Sequence, residues 1–567
     1  MKQKKFITIL IVCVSIISSG CSFIKSPIQP DTEPIAQIRL ERIGVYISGA
    51  GFDEGGAEMA AYDSTNRKLF STNGCTDAID VIDITNPAIP VKVNSIRPSD
   101  HHRQAKVANS VACMNGIVVA AVENKEDGKN GFAMLYNTDG DFLQAIEIGV
   151  LPDMVTISNN GEYAVITFEG EPYVAGNDTI MDPEGGVSIV DLQNGTARMV
   201  RLTSFPLMNG ESIRTPLADQ LQNPYYLDFE PEYVSTSKDG KTAYVGLQEN
   251  NAIAVVDISS AALKGLYGLG FKNHNKKKSG LDANKEDETA KIETAPFKAL
   301  FMPDSIAAYT AADGKTYILT ANGGDGRELE NSSGGVIYTD LGEVDDLTTG
   351  DLSPGYDINL KSYPGKEFLK DMGVNEKGKY RQLYVCGTRS FAIYDGEKIT
   401  RVFDSGDRFE QYIDRNYPTV FNAGEDNLKL DDRSDDAGPD PERIASGVVD
   451  KRNYAFIGLE QFGGVMVYDV TVPAKAQFVT YITGRTLQAK VNKDKEYDDT
   501  SYENTGDIAP EGLLFIPSKE SPNGTPLLLV SNYGSGILEI YGIYRSLALE
   551  VEALAEEKKC GFLKTCD

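Results

Sequence analysis

The sequence predicts an all-β fold, a β-propeller of seven or eight blades, and three observations carry that expectation. One outline recurs along the chain: an acidic residue often preceded by Pro, an apolar strand, a turn, a second strand, then a third strand ending near Asp. Each copy has short strands with apolar residues at every second position, the period of a strand in a packed sheet. Turns such as "KDGK", "NNGE" and "ADGK" join the strands, and the chain holds 54 Gly, as many tight connections require. Repeated sheets at a regular phase pack face to face around a central channel, whereas a pair of β-sandwiches needs no such phase.

The units follow in order. "GAEMAAYDSTNRKLFSTNGCTDAIDVIDI" opens the series, and "ANSVACMNGIVVAAVENKEDGKNGFAMLYN" follows with Asn109 in the acidic slot. "LPDMVTISNNGEYAVITFEGEP", running on to "GGVSIVDL", and "EPEYVSTSKDGKTAYVGLQENNAIAVVDI" are the clearest copies. "MPDSIAAYTAADGKTYILTANGGD" comes next, then a degenerate sixth unit, "LYVCGTRSFAIYDGEKITRVFDSG", with Arg389 in the slot. "DPERIASGVVDKRNYAFIGLEQFGGVMVYDV" and "APEGLLFIPSKESPNGTPLLLVSNYGSGILEIYGI" complete a count of eight. Long acidic or polar insertions are expected between blades, at "KNHNKKKSGLDANKEDETAKIE", near residues 340–380 and at "EDNLKLDDRSDDAGPDPE". Insertions on a rigid scaffold are where binding chemistry usually sits. After the last unit, Leu547, Val551 and Leu554 recur at helical spacing and predict a short C-terminal helix. The expected divisions are a signal at 1–21, a Pro-rich tether at 22–40, one propeller at 41–543, and a helix and tail at 544–567.

Charge and leader bound the function. Lys plus Arg is 55 and Asp plus Glu is 83, a formal net charge of −28, which disfavours nucleic acid and anionic surfaces and favours cations. Lys2, Lys4 and Lys5 precede the apolar "FITILIVCVSII", the right length for a secretory signal and too short for a comfortable membrane span. The following "SIISSGCS" resembles the lipobox of bacterial lipoproteins, with Cys21 as the acylated residue, although Ser18 stands where that pattern prefers Leu. Export and a lipid anchor in the cell envelope, at the outer membrane or cell surface, are the expectation. Cys560 and Cys566 bracket a short loop and form a candidate disulfide, while Cys75, Cys113 and Cys386 read as buried thiols.

If each unit begins with its innermost strand, the acidic slot falls at the channel mouth. Glu58, Asp153, Glu232, Asp304, Glu442 and Glu511 then converge from different blades, with Glu230 beside Glu232. Like charges so gathered require a cation or a basic side chain. Ca²⁺, which takes many hard oxygen ligands, and Arg389 are the candidates. The carboxylates have a second possible role, accepting backbone hydrogen bonds from the next blade. The loop acids Asp435 and Asp436 lead into Glu442 and are further metal candidates, though the run lacks the EF-hand alternation.

Several stretches resemble the choice-of-anchor I family, which includes mesenchyme-specific cell-surface glycoproteins. The resemblance is carried by "LPDMVTISNNGEYAVITFEGEP", "DPEGGVSIVDL", "DFEPEYVSTSKDGKTAYVGLQENNAIAVVDI", "RSFAIYDG", "VFDSGDRFE", "DDRSDDAGPDPE", "YAFIGLEQFGGVMVYDVTVPAKAQFV" and "GDIAPEGLLFIP". It implies a secreted propeller held at the cell surface by different anchors in different members. One motif departs: the family's Asn-Glu-Gly-Asp reads "NGGD" here, so Gly323 carries no carboxylate. Some members bear names taken from alkaline phosphatases or phytase-like esterases, which leaves two readings open. The first is a surface or periplasmic binding module for an unidentified ligand or protein, with Ca²⁺ at its acidic mouth. The second is a Ca²⁺-dependent phosphoesterase using Glu232, Glu442 and Arg389, with Arg327, Arg389 and Arg433 neutralising the phosphate. No Gly-x-Ser-x-Gly elbow, His-Glu-x-x-His or phosphate-binding loop is present, and His numbers three. With no Trp in the chain, the docking repeats of quinoprotein propellers are missing, and no nucleotide, haem or quinone cofactor is expected.

Overall fold

The second and third strands of each repeat are apolar on both sides because each sheet lies between two others. Ala164–Phe168 and Ala243–Leu247 are buried at every position, while fourth strands such as Val91–Ile96 and Thr196–Arg201 are largely exposed. In the computed structural model, which describes residues 38–203, 208–487, 491–492, 496–497 and 505–546, these strands form seven four-stranded antiparallel sheets. Blades 1 to 6 span residues 60–96, 105–150, 152–201, 231–268, 306–404 and 441–482. Blade 7 combines Pro510–Ile516, Leu527–Asn532 and Ile537–Arg545 with the N-terminal strand Ile38–Ile47 as its outer edge.

Seven blades account for eight sequence units because the fifth and sixth units are one sheet. Ile306–Thr310 and Thr316–Asn322 supply its first two strands, and Ser390–Asp395 and Arg401–Asp404 its last two. The insertion near 340–380 therefore lies within blade 5, between its second and third strands, and not between blades. The other two long insertions do connect blades.

Antiparallel order decides where every connection emerges. In blade 7, Pro510 pairs with Asn532, Asn532 with Ile537 and Ile537 with Ile47, so these four residues share one end of the sheet. The start of the first strand, the link between second and third strands and the link to the next blade thus all lie on one face, here called the mouth face. All the long insertions fall there, while the opposite face carries tight turns such as 237–241 and 311–315. Above the mouth, Phe271–Asn273, Phe297–Leu300 and Leu383–Val385 form a small sheet. It packs on Leu281, Val344, Ile358 and Phe368, a separate apolar cluster that gives this cap its own core. The predicted C-terminal helix, Cys21, Cys560 and Cys566 lie outside the described residues. Cys75, expected to be buried, is exposed, and Cys113 and Cys386 are half-buried; all three are free thiols.

The strand Ile38–Ile47 closes the ring, and one ion pair crosses its seam. Glu539 is fully buried, accepting from Arg42 Nη1 at 2.6 Å and from Tyr541 Oη at 2.9 Å. Arg42→Ala should destabilise the protein by about 1–2 kcal/mol, less than a wholly buried pair because Arg42 is half-exposed to screening solvent. A urea melt checks this, and an unchanged midpoint would show that the pair contributes nothing to closure.

Candidate cation site at the channel mouth

A repeated backbone feature places the acidic slot. In five blades the slot reads X-Pro-acid, and in four of them X takes a left-handed backbone although it is not Gly: Leu151 (φ 49°), Met302 (φ 42°), Asp440 (φ 53°) and Ala509 (φ 51°). Such conformations are costly for L-residues and persist where packing over-determines them. Just beyond, the pairing slips between Pro152 and Val155, Pro231 and Val234, Pro441 and Ile444, and Pro510 and Gly512. These bulges break the two-residue alternation at the mouth.

Backbone carbonyls tie adjacent blades together here, alongside the carboxylates of Asp304 and Glu511. Thr167 Oγ1 donates to the Glu232 carbonyl at 2.7 Å, Ser305 Oγ to the Glu442 carbonyl at 2.7 Å, and Asn109 Nδ2 to the Pro152 carbonyl at 3.0 Å. The side chains of the slot acids are left to the channel. Glu232, Asp304 and Glu442 line one cavity of about 660 Å³, together with Asp325, Glu367, Asp436, Asp440 and Glu460. Acids of the ring and of the inserted loops therefore share a single space.

The basic side chain of the ring is Arg443, which sequence reading overlooked. It pairs with Asp304 and Glu511, its Nε lying 2.9 Å from Glu511 Oε2, and reaches Glu442 Oε1 at 3.3 Å. Glu460 was also overlooked. It follows the second strand of blade 6, and one oxygen each from Glu442, Glu460 and Glu511 lie within 4.8 Å of one another. Glu442 Oε2 is buried there with no hydrogen-bond partner. Glu169 and Glu249 occupy similar places past the second strands of blades 3 and 4, so the detectable signal was a second recurrent acid in "FEGEP", "LQENN" and "LEQFGG".

Burial and crowding raise the pKa values of these carboxyls together. Glu58 is pushed up to about 8 by burial and the nearby Glu511, and Asp153 to about 7 by burial, against the pull of Arg443. Burial also takes Asp440 to about 8 and Glu249 to about 7. Glu232, Glu442 and Glu460 are held well above the usual carboxylate range by burial and by neighbouring acids. Even with Arg443, the mouth carries more carboxylate than its cations neutralise.

Other predicted residues stand elsewhere. Asp228 and Glu230 hold Arg327, whose Nη2 lies 2.8 Å from Asp228 Oδ1 and whose Nε lies 2.6 Å from Glu230 Oε1. Arg327 also faces Asp340 at 3.6 Å, and Asp340 faces Arg214 at 2.9 Å, locking the blade 5 insertion to the connection before blade 4. Glu230 and Arg327 are thus partners of each other, and the Arg327 charge also reaches Glu249. Arg389 does not neutralise the ring. It is buried, donating to the carbonyls of Asp282, Ser434 and Asp436 and to Glu410 Oε1, and so clamps the acidic loop. Asp435 pairs with Lys285 at 2.7 Å and does not line the cavity. Arg433 does line it, with Nη2 3.0 Å from Asp436 and a buried Nε lacking a partner. Gly323 sits where a Cβ would stand 2.1 Å from Asp440 Oδ1, so Asp440 fills the space of a side chain at 323.

The Choice-of-anchor I domain model matches residues 58–473. The chain belongs to the choice-of-anchor I family. Gigasin-3a of Magallana gigas is 26% identical over 176 residues, covering 29% of this chain and 59% of that protein. The mesenchyme-specific cell surface glycoprotein of Strongylocentrotus purpuratus is 28% identical over 293 residues, 46% of this chain and 37% of that protein. The aligned part is thus less than two thirds of either relative's length. Among solved structures, hydrazine synthase of Kuenenia stuttgartiensis aligns over 88% of this chain and 99% of its own, at 12% identity and a TM-score of 0.43. The Cps50 (Swd1) β-propeller domain of Myceliophteria thermophila aligns over 89% and 99%, at 7% identity and a TM-score of 0.41. With the family comes the expectation of a surface-associated propeller.

The raised pKa values set a pH dependence. A carboxyl with a higher pKa folded than unfolded binds more protons in the folded state, so stability is present below the unfolded pKa and is lost as pH rises through the folded one. For Glu58, Asp153 and Asp440 that window runs from the ordinary carboxylate range up to about 7 or 8. In chelator, the melting temperature should fall by several degrees between about pH 5.5 and about pH 8.5, and added Ca²⁺ should restore it mainly at the higher pH. A melting temperature indifferent to both would remove the crowded mouth as a source of instability.

Proposed function

We propose that this chain is an exported propeller, anchored in the cell envelope through acylated Cys21, whose channel mouth binds Ca²⁺ and uses it to recognise a ligand at the cell surface. One observation carries the reading: Glu442, Glu460 and Glu511 bring oxygens within 4.8 Å of one another around a buried carboxylate oxygen with no donor. That spacing suits oxygens about 2.4 Å from a common centre, the Ca²⁺ distance. Asp440 lies next to Glu460, whose backbone N–H donates to the Asp440 carbonyl at 2.7 Å, and adds a further oxygen source. All of these donors are hard carboxylates, which suits Ca²⁺ better than the N and S donors preferred by Zn²⁺.

A second reading, a Ca²⁺-dependent phosphoesterase, has one observation in its favour. Arg433, with its unpartnered Nε, and Lys366 line the same cavity as the acids, so cation and phosphate would find complementary groups together. Lys366 is less free than Arg433, because it donates to the carbonyls of Asp435 and Asp436 at 2.7 and 3.1 Å.

Calorimetric titration with Ca²⁺ tests the first reading. Binding should weaken at least tenfold in Glu442→Gln and in Glu460→Gln, with circular dichroism unchanged. Equal binding by wild type and both variants would place the cation elsewhere. A phosphomonoester assay on the Ca²⁺-loaded chain, with and without chelator, decides the second, since no chelator-sensitive turnover would leave a recognition module.

A further inference from the structure

We infer that a cleft between the outer edges of blades 4 and 5 is a second binding site, and that it takes one neutral pyranose ring. It holds about 300 Å³, at the small end for ligand sites, and shares no lining residue with the mouth cavity, so it stands apart from the cation reading. One wall is the end of the blade 4 outer strand Ala262–Gly268 with the run on to Phe271, and the other is Ile399–Arg401, where blade 5 turns into its own outer strand. Asn209 and Glu211, from the connection before blade 4, close one side. Two glycines seat that connection: a Cβ at Gly268 would stand 2.5 Å from the Ser212 carbonyl oxygen, and one at Gly270 would stand 3.2 Å from Glu211 Oε2. Asn209 Nδ2 donates to the Gly268 carbonyl at 2.7 Å and fastens it.

Tyr394 is the side chain that the fold leaves unserved there. It lines the cleft at 1% exposure, and its buried Oη has no hydrogen-bond partner. Arg401 is close enough to favour the phenolate but lies outside hydrogen-bonding geometry. A buried hydroxyl so left costs free energy until a bound group supplies its partner.

The rest of the lining selects the ligand. Exposed Glu211 and Arg401 stand on different walls, and neither forms an ion pair among the described residues. Arg401 is steadied by Phe301, its Cζ lying 4.3 Å from the centre of that ring. Glu211 only accepts and Arg401 only donates, so an anion meets repulsion from one wall and a cation from the other. A hydroxyl satisfies either group, and Tyr394 Oη as well. A pyranose carries several hydroxyls round its rim and an apolar face of C–H groups. Phe271 offers that face a platform, being 41% exposed, with Lys298 Nζ 4.0 Å from the centre of its ring. A zwitterionic amino acid would engage the two charges, but both are exposed and screened by solvent, and its apolar side chain would leave Tyr394 Oη without a partner.

Saturation-transfer NMR on the full chain tests this, with glucose, galactose, mannose and N-acetylglucosamine added singly in the presence of chelator. Transfer should reach at least one of them and be strongest at the C–H protons of one ring face. Arg401→Ala should weaken that binding about tenfold and Tyr394→Phe about fivefold, the worth of a charged and of a neutral hydrogen bond. Phe271→Ala should weaken it several-fold, whereas Phe271→Tyr, which keeps the ring, should retain it. Circular dichroism checks the fold of each variant, and Tyr394→Phe, which removes one oxygen, decides the matter if Phe271→Ala does not fold. Because chelator strips cations from the mouth, failure of the Ca²⁺ reading leaves this result unchanged. No transfer to any of the four sugars, equal binding by wild type and Tyr394→Phe, or binding that needs added Ca²⁺ overturns the inference. Transfer to leucine or phenylalanine with none to the sugars overturns it too.

Discussion

Everything at the mouth depends on the pairing of Ile38–Ile47 with Ile537–Arg545. A propeller is a closed stack of sheets, and each sheet buries both faces only if the last meets the first. Here the closure uses an outer strand from the N-terminus and three strands from the C-terminus, so the two ends of the propeller fold as one element. With the ring closed, seven first strands share one axis and their starts cannot spread apart. The acids at those starts are crowded by geometry, and their repulsion is held in place by cores such as Phe456, Val467 and Leu528 in the closing pair of blades.

The mouth joins two forms of electrostatic compensation at different depths. The cap is fastened by buried arginines with several partners each: Arg327 with Asp228 and Glu230, Arg389 with Glu410 and three carbonyls. Breaking such buried pairs is expensive, which makes them good fasteners and poor ligand contacts. The ring has Arg443 alone among several acids, and Glu442 keeps an oxygen with no donor at all. The arginine-paired acids are engaged in fastening the fold, whereas the ring acids line an open cavity where a cation can reach them.

Much of this was legible in the sequence, for physical reasons that also explain the gaps. Strands, turns and phase were readable because period-two patterning and turns such as "KDGK" are local. The blade count was ambiguous because residues 323–389 interrupt one sheet, leaving two strands on either side to be counted as separate units. The slot acids were readable from the Pro-acid repeat, but Arg443, next to Glu442, was not. Alternation would send it away from its neighbour, and the bulge between Pro441 and Ile444 cancels that rule. Arg389 occupied the slot in a unit that proved to be half a blade, so its place in the ring vanished with the unit. Glu460 lies far from Glu511 in sequence and meets it only through ring geometry.

Gly323 and Asp440 compete for one volume. An atom added at 323 would meet Asp440 Oδ1, so a side chain there and Asp440 in its present position cannot coexist. A chain with a side chain at 323 must move the carboxylate at 440, and Gly there leaves it room. The cavity can then keep its count of acids while the supplier changes from the rigid end of a strand to the connection between blades 5 and 6. In this protein the donor travels with a loop, so a change in that loop's path alters the site without touching the ring that frames it.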